Sequence, residues 1–119
     1  MDDIGDYKAL EVSVEKIGDV HVFHLKGQVN ELGVDVLSAQ VESALQAGGS
    51  NIVFDLYDVS FMGSTGLGEI MRAYRAIKGR GFVRLAAPQA LVADLFRLTK
   101  LDKLLGVYPT VAAALEGDA

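Results

Sequence analysis

The sequence contains no cysteine and no tryptophan, and only 2 of its 119 residues are proline. The absence of cysteine excludes disulfides, thiolate metal sites and cysteine nucleophiles, so the chemistry of the chain depends on oxygen and nitrogen groups. No apolar run approaches the roughly 18 residues that a membrane-spanning helix needs. Hydrophobic residues make up 50% and charged residues 23% of the chain, which is typical of a folded globular domain.

Basic residues are also scarce: 11 Lys and Arg against 16 Asp and Glu leave a formal charge of −5. Because this charge opposes nonspecific attraction to nucleic acid or anionic lipid, we expect neither direct nucleic-acid binding nor membrane insertion. The N-terminus is acidic where a signal peptide would be basic and then apolar. We therefore expect a cytoplasmic protein of a single domain over residues 1–119, with frayed ends at about residues 1–8 and 116–119.

The first half of the chain carries the pattern of a hairpin followed by a helix. Apolar and polar residues alternate over residues 10–15 and again over residues 20–25, which predicts two strands joined by a turn at Gly18-Asp19. Residues 27–31 are polar and are expected to form a loop. Apolar residues at helical spacing then predict a helix over residues 32–47, ended by a pair of glycines.

The second half alternates between strand and helix patterns. An apolar run predicts a strand at residues 52–56, helical spacing follows over residues 67–77, and a further strand is predicted at residues 82–86. A hairpin followed by this alternation predicts an α/β fold. We expect a mixed sheet of about four to five strands, with the hairpin first and parallel strands after it, packed with about four helices.

The C-terminal quarter predicts two more helices. Pro88 suits the first turn of a third helix. The apolar side of that helix is expected to consist of Leu91, Val92, Leu95, Phe96 and Leu98. A short stretch around Val107 and Tyr108 leads to Thr110, whose hydroxyl can cap a last helix.

Two hydroxyl residues, Ser64 and Thr65, lie between Gly63 and Gly66 where the strand pattern gives way to the helix pattern. The first backbone amides of a helix lack partners, so either hydroxyl can cap them and still meet solvent. An exposed Ser64 could also be a kinase substrate. A phosphate there would add about −1.5 to −2 charge, enough to repel a desolvated interface. The spacing alone leaves the cap and the modification site as equal alternatives.

Catalytic interpretations of this junction lack partner residues. His21 and His24 are three apart on a predicted strand and therefore point to opposite faces, so a structural role is favoured for both. Residues 63–66 lack the spacing of a nucleophile elbow and are not followed by the lysine of a phosphate-binding loop. Asp55 and Asp58 are favoured as strand-end and turn residues, since the first strands supply no acidic pair for magnesium.

Three segments of the chain resemble the STAS family of anti-sigma factor antagonists, the small proteins of bacterial partner switching. Residues 61–68, Phe-Met-Gly-Ser-Thr-Gly-Leu-Gly, are similar to the family's Phe-Ile-Asp-Ser-Ser-Gly-Leu-Gly. Residues 98–104 are similar to its Leu-Thr-Gly-Leu-Asp-Arg-Leu, and residues 27–30 to its Gly-Glu-Leu-Asp. The separation of these motifs and the order of elements also match, so the resemblance covers nearly the whole chain.

The resemblance implies a protein that is not an enzyme and holds no cofactor or metal. It would bind an anti-sigma factor with serine kinase activity, which phosphorylates Ser64, and a PP2C-type phosphatase would restore binding. The implied docking face consists of Asn30, Gly63, Ser64, Thr65, Gly66, Leu67, Glu69 and Arg72. Gly63 and Asn30 stand where the family usually has acidic residues.

An alternative function stays open beside this one. The chain could be a STAS binding module, or a scaffold subunit of a transporter or signalling complex, without regulation by phosphorylation. The sequence does not decide whether the domain forms a homodimer.

Overall fold

The structure, a computed structural model, describes residues 9–117. Its first two strands, β1 (Glu11–Ile17) and β2 (Val20–Val29), form an antiparallel hairpin. The turn between them contains Gly18 at φ +61, a conformation that glycine adopts without steric cost. The predicted hairpin and its turn are confirmed, whereas residues 1–8, 118 and 119, which were expected to fray, lie outside the described residues.

Helices and strands then alternate, as the sequence predicts. In chain order they are α1 (Val34–Gln46), β3 (Asn51–Met62), α2 (Ser64–Ile77), β4 (Phe82–Ala86), α3 (Ala90–Leu98), α4 (Leu101–Leu104), β5 (Gly106–Tyr108) and α5 (Val111–Glu116). The five strands form one sheet in the order β1-β2-β3-β4-β5, in which β2 to β5 are parallel. The α/β fold with a mixed sheet is confirmed, and residues 9–117 contain five helices rather than about four.

The two faces of the sheet bury separate apolar clusters. The larger cluster lies beneath α1, α2 and α3, where Leu37, Ile70 and Phe96 are fully buried against the central strands. The smaller cluster lies on the opposite face beneath α5 and consists of Val20, Val22, Val53, Ala86 and Ala114. Because residues on a strand alternate between faces, both sides of β3 are buried along its first half.

Two strands extend further than their sequence patterns predict. β2 continues to Val29, through residues that were expected to form a loop, and β3 has 12 residues and continues to Met62. The ladder between them contains register shifts, one of them at Gly27/Gln28. Such irregularities break the alternation of side chains, which explains why the pattern underestimates both strands. β4 pairs with β3 only as far as Asp55, so the second half of β3 extends beyond β4.

α3 buries a narrower side than expected. Val92 and Phe96 are buried, but Leu91 and Leu98 are 67% and 77% exposed, so only part of the predicted apolar side is covered. The helix begins at Ala90 with Gln89 as its N-cap, and Pro88 therefore precedes it instead of occupying its first turn.

The last helix agrees with its predicted cap. The side chain of Thr110 accepts a hydrogen bond from the backbone N–H of Ala113 at 3.0 Å. At the other end, α5 includes Glu116, and the N–H of Gly117 donates to the carbonyl of Ala113 at 2.9 Å. These two residues, expected to fray, are therefore held by the end of the helix.

Candidate functional site

Residues 63–66 lie at the carboxyl edge of the sheet, between the end of β3 and the start of α2. β2 ends beside β3, since Val29 pairs with Met62 and the N–H of Gly63 donates to the carbonyl of Val29 at 2.9 Å. Ligand sites of open α/β sheets form outside the carboxyl ends of neighbouring strands. The fold thus brings Asn30 and Ser64, predicted on one docking face, to the same edge.

Ser64 is the first residue of α2, and both Ser64 and Thr65 are exposed. The N-cap is Gly63, whose backbone is extended, and no side-chain hydrogen bond from the described residues caps the helix. The hypothesis that Ser64 or Thr65 caps the helix was therefore wrong. A capping side chain belongs to the residue before the first helical one, so both hydroxyls come too late in the sequence to cap α2.

The electrostatic setting of Ser64 suits a phosphate. The N-terminus of a helix carries partial positive charge and uncommitted N–H groups, which favour an anion there. α2 is 14 residues long, and its first turn contains no acidic residue that would repel the added charge. A phosphate on Ser64 is therefore compatible with the folded domain.

Asn30 holds its own loop together. Its Oδ1 accepts hydrogen bonds from the N–H groups of Leu32 at 3.0 Å and Gly33 at 3.2 Å. Its Nδ2 donates to Oε1 of Gln28 at 3.2 Å. An aspartate could accept the same two N–H groups, because both residues form this kind of turn. Asn30 therefore holds the loop without adding a negative charge to the edge.

Gly66 and Leu67 position α2 against the sheet. A Cβ at Gly66 would lie 2.7 Å from Cγ1 of Val29 and 2.9 Å from Cγ of Met62, so only glycine permits this close approach of helix and strands. Leu67 is half-buried and packs against the larger core cluster. Of these two predicted docking residues, Gly66 is buried and Leu67 exposes only part of its side chain.

Glu69 and Arg72, both predicted on the docking face, form hydrogen bonds within the domain. Glu69 is only 7% exposed, and Nη2 of Arg72 donates to its Oε2 at 2.7 Å. Arg72 also donates to Oε1 of Glu42 at 3.1 Å and to the side chain of Ser38 at 3.3 Å, both on α1. The hydrogen bonds with Glu69 raise the pKa of Arg72 above its ordinary value. Arg72 thereby connects α2 to α1.

A polar cluster that sequence reasoning missed crosses three strands. His24 on β2 lies between two carboxylates, with Nε2 2.8 Å from Oε1 of Glu15 on β1 and Nδ1 2.6 Å from Oδ2 of Asp55 on β3. The hydrogen bond with Glu15 and the neighbouring Asp55 raise the pKa of His24, while burial lowers it. As predicted, His21 points to the opposite face, where its ring adjoins Gly49. Only the register of the strands places Asp55 opposite His24, which is why the cluster was missed.

Neither a metal centre nor a membrane span emerges from the part of the chain that the structure describes. Residues 9–117 contain no group of three or more His, Asp or Glu side chains arranged to hold a metal ion. Among the same residues, no helix is long and apolar enough to cross a membrane. The carboxyl edge presents the exposed hydroxyls of Ser64 and Thr65 beside the loop held by Asn30.

Comparison with known proteins gives consistent matches. The family model described as the STAS domain matches residues 11–114. A candidate anti-sigma factor antagonist from Thermotoga maritima is 33% identical over 73 residues, which cover 60% of this chain and 65% of that protein, just under two thirds of its length. The crystal structure of a candidate anti-sigma factor antagonist from the same organism has a TM-score of 0.84 at 26% identity, covering 89% of this chain and 92% of the other. The crystal structure of an anti-sigma factor antagonist from Mycobacterium paratuberculosis has a TM-score of 0.86 at 25% identity. This match covers 92% of this chain and 93% of the other.

Proposed function

The chain belongs to the STAS domain family, and we propose that it acts as an anti-sigma factor antagonist whose partner binding is controlled by phosphorylation of Ser64. The observation that carries the proposal is the exposed hydroxyl of Ser64 at the first residue of α2, which within residues 9–117 forms no capping hydrogen bond. Similar proteins described as anti-sigma factor antagonists support the general role.

In the proposed cycle, the unphosphorylated chain binds an anti-sigma factor that is also a serine kinase, and so releases the sigma factor. The loop at Asn30 and the start of α2 form the contact, since both lie at the carboxyl edge of the sheet. The kinase then phosphorylates Ser64, the complex dissociates, and a PP2C-type phosphatase restores the hydroxyl. We place this exchange in the cytoplasm, with the chain as substrate and not as catalyst.

The charge of the phosphate accounts for the dissociation. A phosphoserine carries about −1.5 to −2 charge, and desolvating that charge in an interface is costly unless cations pair with it. Within the isolated domain, the positive end of α2 offsets part of the same charge. Phosphorylation is thus expected to weaken binding while leaving the fold intact.

A second function has one observation in its favour. Gly63 and Asn30 both replace residues that are usually acidic in the family, so the edge lacks two carboxylates that could orient Ser64 for the kinase. A STAS binding module or scaffold subunit without phospho-regulation would need neither of them. The two functions differ in a single measurable property, the incorporation of phosphate at Ser64.

The test compares Ser64→Ala with Ser64→Asp for binding to the purified anti-sigma kinase by isothermal titration calorimetry. Ser64→Ala should bind like the wild type, whereas Ser64→Asp should bind at least about tenfold more weakly, a loss of about 1.4 kcal/mol. Ser43→Asp adds the same charge at an exposed position of α1 and should bind normally. Equal affinities for Ser64→Ala and Ser64→Asp would contradict the electrostatic switch.

A further inference from the structure

An apolar groove of about 340 Å³ lies between the end of β3 and α3. Phe61 and Met62 line it on the strand side, and Leu91, Leu95 and Leu98 on the helix side. Leu91 and Leu98 are seven residues apart, so they lie on the same side of α3, two turns from each other. Large aliphatic side chains exposed together beside a groove are unusual on a monomer and are typical of a binding surface.

The groove is continuous with the loop that presents Ser64. Phe61, which is 44% exposed, packs against Gly63: a Cβ built at Gly63 would lie 3.4 Å from the ring. Met62 and Gly63 then connect directly to Ser64. A protein that encloses the Ser64 hydroxyl in an active site therefore has to cover the strand end of the groove as well.

The face implied by the family motif lacks apolar anchors. Gly66 and Glu69 are buried, Arg72 is occupied by carboxylates within the domain, and Leu67 is half-buried. Affinity in protein interfaces comes mainly from a few large side chains that become desolvated at the centre of the contact. The glycines and hydroxyls around Ser64 cannot supply such anchors, but the neighbouring groove can.

We propose that this groove is the apolar half of the docking face and receives aliphatic or aromatic side chains of the same anti-sigma factor whose kinase site takes Ser64. The inference rests on the proposed function and adds a second contact region to it. Among residues 9–117, a single charged residue lines the groove, Asp94, and it pairs with Arg97 at 2.8 Å. The groove therefore offers no net charge, which favours apolar side chains over a basic peptide.

The experiment measures binding of the anti-sigma kinase to the full chain and to Leu91→Ala, Leu98→Ala and the double variant. Since both leucines are largely exposed, the variants should fold and unfold like the wild type. Each single change should weaken binding about tenfold, and KM for Ser64 phosphorylation should rise while kcat is unchanged. Leu104→Ala makes the same change at a leucine of α4 that is 47% exposed and outside the groove lining, and it should bind normally.

The outcomes separate this inference from the proposed function. Wild-type affinity and KM in the double variant, with normal phosphorylation of Ser64, would overturn the groove assignment and leave the proposed function standing. A wild-type chain that neither binds the kinase nor accepts phosphate would overturn both. If the wild type is a dimer that the double variant converts to a monomer without loss of kinase binding, a second copy covers the groove and the inference is wrong.

Discussion

The N-termini of α2 and α5 both carry a hydroxyl residue, but they use it differently. At α5, Thr110 is the N-cap and accepts a hydrogen bond from the N–H of Ala113 at 3.0 Å. At α2, Gly63 is the N-cap, and Ser64 follows it as the first helical residue without a capping bond. Thr110 precedes its helix and caps it, whereas Ser64 lies one position later relative to its helix and does not. This difference of one position leaves the Ser64 hydroxyl available to a partner.

Several charged groups are also engaged within the fold. Glu69 and Arg72, predicted to contact a partner, bond to each other, and Arg72 bonds to α1. His24 is likewise committed to carboxylates on both neighbouring strands. If this distinction is correct, removing a committed group should cost stability, and removing Ser64 should cost regulation alone.

The largest stability effect is expected for Arg72→Ala. This change leaves the carboxylate of Glu69 buried without its cation and should lower the free energy of unfolding by about 2 kcal/mol, between the values for exposed and buried ion pairs. Urea denaturation would measure it. Arg75→Ala, at an exposed arginine of the same helix, is the control and should change stability by less than about 0.5 kcal/mol. A loss no larger for Arg72→Ala than for Arg75→Ala would mean that the Glu69–Arg72 pair does not stabilise the fold.

An intermediate effect is expected for Thr110→Ala, which removes the cap of α5. Loss of a capping hydroxyl costs about 1 kcal/mol. Ser64→Ala removes a hydroxyl that caps nothing and should leave the unfolding midpoint within error. Comparing the two variants by thermal unfolding tests the contrast between the helix starts. Equal destabilisation would show that Ser64 is structural after all.

The smallest effect is expected at His24, and it depends on pH. Its pKa is raised above the ordinary value of 6.5, so the folded state binds the proton more tightly than the unfolded state. The resulting stabilisation is fully present below pH about 6.5 and is lost as pH rises through the raised pKa. Because the side chain is 36% exposed, solvent screening should keep it under about 1 kcal/mol.

The measurement is the difference in unfolding free energy between the wild type and His24→Gln at about pH 6 and about pH 9. The wild-type advantage should be larger at the lower pH. Glu15→Gln, which removes one of the two carboxylates, should reduce this pH dependence without abolishing it. A difference that stays constant between the two pH values would show that the protonated imidazole contributes nothing.

Local patterns predicted most of the fold because they report burial directly. The hairpin at Gly18, the cap at Thr110 and the parallel order of the later strands follow from alternation, turn residues and chain connectivity. The extension of β3 to Met62 was missed because the ladder is irregular there. The exposure of Leu91 and Leu98 was not predicted, because periodicity identifies an apolar side of a helix but not whether anything covers it.

The candidate site was predicted only in part. The motif located Ser64, and the structure places it with Asn30 at one edge of the sheet, since β2 and β3 end together. The link from Arg72 to α1 could not be predicted, because it depends on Glu42 and Ser38 of another helix lying close enough to bind Arg72. Whether a polar side chain bonds within the fold or stays available to a partner depends on its neighbours in the tertiary structure. A single sequence does not show those neighbours.

The intact mass of the chain after treatment with the kinase shows whether the Ser64 hydroxyl is modified. The protein is incubated with the candidate anti-sigma kinase and ATP, with Ser64→Ala in parallel. We expect one added phosphate on the wild type and none on Ser64→Ala. If the kinase phosphorylates another substrate but leaves the wild type unmodified, phosphorylation of Ser64 is contradicted. A phosphate that persists in Ser64→Ala would contradict it too, because that phosphate lies on another residue.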